Sequence, residues 1–146
     1  IMNHTTNIEY IKWRNTQGLH EDAVNTISNL KFYKDELHFL KDLVAEHTLE
    51  LIYGKSHEEA LKIGTELHAF DNRLKNLLKV LVEHSNHLQV LTDDIDVPNE
   101  LIDYENVHYK LMVDASDFYR DVKKSKHKIF KMMADIMKKS KQKKLS

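Results

Sequence analysis

A chain of 146 residues that is 41% hydrophobic and 31% charged holds enough apolar material for one core under a well-solvated surface. Three glycines and one proline allow few turns, which excludes an all-β fold and calls for long helices. The absence of cysteine excludes disulfide frameworks, thiolate zinc sites and cysteine nucleophiles, and the net charge of −1 conceals an acidic body (residues 1–119, 11 basic and 21 acidic side chains) joined to a basic end (residues 120–146, 11 basic and 2 acidic).

Residues 1–18 read as an N-terminal arm. Met2 reads as the natural start, and the polar Asn3–Asn7 that follow lack the basic start and apolar centre of a signal peptide. No apolar run approaches the ~18 residues of a membrane span, so a cytoplasmic location is expected. Ile8, Ile11 and Trp13 would add a turn of helix or cap the bundle end, and Gly18 weakens a helix continuing through the arm.

The first helix is predicted over 19–53. Ala23, Ile27, Leu30, Leu37, Leu40, Val44, His47 and Leu51 recur at steps of three, four or seven and so share one face. Phe32 and Phe39 stand beside that seam, seven apart, and would broaden it toward another subunit. Gly54 suits the position beyond the helix end. The second helix is predicted over 56–92, opening on the capping box Ser56-His57-Glu58-Glu59. Its ladders of spacing seven are Ala60–Leu67–Leu74–Leu81–Leu88, Ile63–Phe70–Leu77–His84–Leu91 and Gly64–Asp71–Leu78–Ser85, a stripe wide enough to touch two neighbours. An acidic linker ends at Pro98, a good first-turn residue, and the third helix is predicted over 98–144. Its seam runs from Leu101 through Glu105, His108, Met112, Ala115, Tyr119, Val122, Lys126, Ile129 and Met133 to Ile136. The expected fold is all-α, an antiparallel up-down-up bundle of three long helices over 19–137 with an N-terminal arm and a basic tail, 138–146.

Polar residues on these apolar seams carry the functional argument, because an unpartnered buried polar group costs roughly 1–3 kcal/mol. Glu105 and His108 stand three apart on the inward face of the third helix. That E-x-x-H spacing resembles a local device of the ferritin-like di-iron bundles, which use it twice with two further glutamates; one copy occurs here. Folding the second and third helices about the turn near Ile95 sets His84 and His87 opposite His108 and Glu105. Folding back the first brings His20 to the same level, with Glu21 and Asp22 adjacent. Imidazoles with a carboxylate suit a borderline divalent metal such as zinc or iron, so His84, Glu105 and His108, helped by His20 or His87, form the candidate metal site. The alternative is a structural polar layer. Asp71 is expected to accept a hydrogen bond from Tyr119, and His47 to be a core-edge histidine.

Lysines 123, 124, 126, 128 and 131 interleave with apolar residues, and Lys138, Lys139, Lys141, Lys143 and Lys144 crowd the last nine positions. Such a cluster can hold nucleic acid phosphates or an anionic membrane surface, or it can be a solvated helix end. No Gly-rich phosphate loop, G-x-S-x-G elbow or H-E-x-x-H pair occurs. The expected function is therefore a non-enzymatic helical-bundle interaction or scaffold module, engaging a protein partner or forming a homodimer. The alternatives are a metal-binding bundle and an anionic-surface binder.

Overall fold

The computed structural model describes residues 16–53, 57–93 and 98–145; the side chains of Ile52, residues 91–101, Ser140 and residues 143–145 lie outside that description. Also outside it are Ile8, Ile11, Trp13, Gly54, Ser56 and residues 94–97 of the acidic linker. The described residues are almost entirely helical and include no strand: α1 is Thr16–Glu46, α2 Thr48–Tyr53, α3 His57–Asp93 and α4 Pro98–Leu145. At ~1.5 Å per residue α4 is roughly 72 Å long against roughly 46 Å for α1 and 55 Å for α3. No described helix is long and apolar enough to cross a membrane.

Two helix boundaries differ from those predicted. Helix α1 begins at Thr16, with Gly18 and Leu19 both buried in its opening turns. Leu19 joins the core. At its other end α1 breaks at His47. The His47 N–H donates to the Val44 carbonyl at 3.2 Å, tightening the last turn, and the Thr48 hydroxyl donates to the Ala45 carbonyl at 2.7 Å. A β-branched hydroxyl that bonds a carbonyl three residues back competes with the helix ladder. The Leu51 N–H then donates to the His47 carbonyl at 3.0 Å and starts α2. The half-buried His47 ring lies 3.8 Å from Glu50, at a corner of the bundle.

The three long helices pack on one another around a continuous core. Helix α1 gives Leu19, Ala23, Leu30, Leu37 and Leu40; α3 gives Ile63, Leu67, Leu74 and Leu81; α4 gives Leu111, Phe118, Val122 and Ile129. At mid-height the Phe118 ring takes Tyr33 of α1 and Phe70 of α3 edge-on, with centroids 5.9 and 6.0 Å away. The Arg73 guanidinium sits 5.6 Å above the Phe118 centroid and bonds Asp121 at 2.8 Å. Asp71 does not take the expected Tyr119 hydroxyl; it pairs with Lys41 of α1. Tyr119 instead stacks on Tyr33 at 4.7 Å and 21°. Burial, then the Tyr33 phenol, push Tyr119 up to about 12 against a lowering effect of Asn29, so it stays protonated at neutral pH. Toward the basic end the Ser125 hydroxyl donates to Glu66 at 2.7 Å, and Lys126, on a core seam by sequence, pairs with Glu36.

Candidate functional site

His84 of α3 and His108 of α4 meet in the interior, with His84 Nε2 2.9 Å from His108 Nδ1. His108 is fully buried and His84 is 3% exposed. Behind His108, the Asp22 carboxylate of α1 lies 3.6 Å from Nε2. One turn further, the Thr26 hydroxyl donates to the Asp22 carbonyl at 2.8 Å and lies 3.3 Å from the Met112 sulfur. One polar layer thus runs across all three long helices, Asp22 to His108 to His84.

The partners assign the protons. A carboxylate only accepts, so a proton on His108 Nε2 is favoured by Asp22. Nδ1 of His108 is then the acceptor, and His84 Nε2–H donates to it. That leaves His84 Nδ1 as a bare lone pair, buried and without a hydrogen-bond partner among the described residues. Burial first, then the His108 imidazole and then His87 push His84 down from 6.5 to about 4, so at neutral pH it is uncharged.

The five residues expected to bind a metal divide. His84 and His108 are brought together, at the height their distance from the Ile95 turn implied. Glu105 is half-buried, and the carboxylate that approaches His108 belongs to Asp22 instead. His87 is exposed and lies against Tyr104, ring centroids 5.7 Å apart. His20 is half-buried on another flank of α1. Among the described residues no group of three or more His, Asp or Glu side chains is arranged to hold a metal ion. The physical reason is that the two imidazoles use their facing nitrogens on each other. Asp22 was adjacent to the expected ligand His20 but was not singled out. Its signal was available: it lies three after Leu19 and four before Thr26, on the inward stripe, whereas His20 is about 160° further round the helix.

Two surface grooves flank the bundle. One of about 500 Å3 runs between α3 and α4 past Arg73, Val80, Lys110 and Asp114, and one of about 660 Å3 between α1 and α3 past His38, Lys41 and Asp71. The buried histidines line neither. Comparison with protein-family models, curated proteins and solved structures yields no match.

Proposed function

We propose that this chain is a helical interaction module whose outer faces engage another protein surface, and that the buried layer fixes the helices' register. The observation that carries this reading is the placement of large rings in solvent: Phe32 is 67% exposed and Phe39 55%, two turns apart on one face of α1. Aromatic rings supply much of the energy of protein interfaces, and here they serve no core. A buried polar pairing is best attested as a register device.

The proposed course is up-down-up. Its support is the order of the contacts. Between α3 and α4, Arg73 meets Asp121 and His84 meets His108, so one number rises as the other falls. Between α1 and α4, Asp22 meets His108 and Glu36 meets Lys126, so both rise together. Spin labels at Val24 and Val107 should then lie at one level along the bundle axis, and labels at Val24 and Phe130 be offset along it by about 30 Å.

The test of the interaction reading is a photo-cross-linking amino acid at position 39 in living cells, with the exposed Gln89 as control site. The expected result is an adduct with one identifiable protein, a second copy or another chain, that disappears on Phe32→Ser. No adduct from position 39 beyond that from position 89 would overturn it. Metal content of the purified chain, without an affinity tag, separates this reading from a metal-binding bundle: about one equivalent of zinc or iron, lost in His108→Ala, would favour the metal.

A further inference from the structure

Two exposed stripes border the groove between α1 and α4. On α1, Phe32, Phe39 and Glu46 follow at steps of seven, with Asp35 and Asp42 in the intervals, and all five are exposed. On α4, Lys123, Phe130 and Met137 follow at the same step, flanked by exposed Lys131 and Lys138. Both stripes lie beside the same groove. The Glu36–Lys126 pair bridges α1 to α4 there, and the Lys126 ammonium stands 5.8 Å over the Phe130 ring. On the other side Phe32 meets the edge of Tyr33, which stacks on Tyr119 of α4. One stripe is aromatic and acidic, the other apolar and basic.

We propose that this face takes a second copy of the chain, in a two-fold dimer where α1 of each protomer lies parallel to α4 of its partner. The proposal rests on the interaction reading and the up-down-up course above, and names the partner. Since α1 and α4 are parallel neighbours in that course, a two-fold axis running along their groove, parallel to the helices, sets α1 on the partner's α4 twice, as an isologous interface requires. The equal steps then match along the whole contact. Phe39 falls on the partner's Phe130, Phe32 on the partner's Lys123, and Glu46 beside the partner's Lys138. Asp42 lies between the partner's Lys131 and Lys138. Charge complementarity selects this arrangement over pairing α1 with α1, which would set acid against acid, or α4 with α4, which would set lysine against lysine. It also gives the opposite charge of body and end a role: each end docks on the partner's body.

The test uses the purified full chain. Sedimentation velocity across a concentration series should give a monomer–dimer equilibrium, weakened at least tenfold by Phe39→Asp, whose exposed position leaves folding intact. Glu46→Lys and Lys138→Glu should each weaken the dimer, and the two together in one chain should restore it. Because the chain lacks cysteine, Phe39→Cys and Phe130→Cys variants can be mixed under oxidation; a mixed disulfide should form that neither variant forms alone. A chain that stays monomeric, a dimer indifferent to Phe39→Asp, or a charge swap that does not restore association would each overturn the proposal. A monomer that still cross-links another identified protein from position 39 would sink the second copy and leave the interaction reading standing. Binding of anionic vesicles or DNA by a monomeric chain would assign the lysine stripe to that surface instead.

Discussion

Phe118→Ala is expected to lower the unfolding free energy by about 3–5 kcal/mol, the usual cost of deleting a buried aromatic ring. Phe118 has no solvent exposure and is the ring on which all three long helices converge. Its removal takes the edge contacts from Tyr33 and Phe70 and leaves the Arg73 guanidinium over a void. A domain of this size has about 5–15 kcal/mol of stability in total, so the loss is a large share of it. The measurement is urea denaturation followed by circular dichroism. The midpoint should fall while the slope with denaturant stays constant, marking a change of stability without a change of surface exposed. Phe32→Ala provides the contrast. The same substitution at a ring 67% exposed should stay within about 0.5 kcal/mol. Equal effects at the two positions would mean that the core is not organised around Phe118.

The fold was largely legible because steps of three, four and seven mark one face of a helix whatever that face touches. Nearly every apolar seam position that the structure describes is buried or half-buried, from Ala23 to Ile136. The seams also located the buried histidines. His84 interrupts an apolar ladder, and counting outward from one turn was enough to bring it opposite His108. What periodicity does not carry is the rotation of a third helix about its axis. His20, Glu21 and Asp22 share one level, and only the way α1 turns its stripe inward decides that Asp22 reaches His108. Asp71 failed for a related reason. Two partners stood within reach, and the one chosen was Lys41, whose flexible stem brings an opposite charge to a half-buried carboxylate, while Tyr119 was already committed to stacking on Tyr33. The break at His47 comes with local bonds, the His47 N–H to Val44 and the Thr48 hydroxyl to Ala45, too local for a seven-residue pattern to register.

Acid should loosen the bundle through His84, and the sign follows from the direction of its shift. Held at about 4 when folded and near 6.5 when unfolded, His84 takes up a proton in the unfolded chain over a range in which the folded chain refuses one. Stability from this group is therefore complete above pH 6.5, falls as pH drops through the window, and is gone below about pH 4. The difference amounts to about 3 kcal/mol. Its cause is spatial. A proton on His84 would add charge to a ring that is buried, hydrogen-bonded to the His108 imidazole and near His87, while the one carboxylate of the layer, Asp22, stands on the far side of His108. The measurement is the unfolding free energy at a series of pH values for the wild type and His84→Leu. Leucine restores the apolar ladder and removes the titration, although it strips His108 Nδ1 of its donor and so costs stability at neutral pH. That offset does not matter to the comparison, which is between slopes: from pH 7 to pH 4 the variant should lose about 3 kcal/mol less than the wild type. Parallel curves would mean that His84 is protonated or solvated in the folded chain, and it could not then be the uncharged ring that joins α4 to α3.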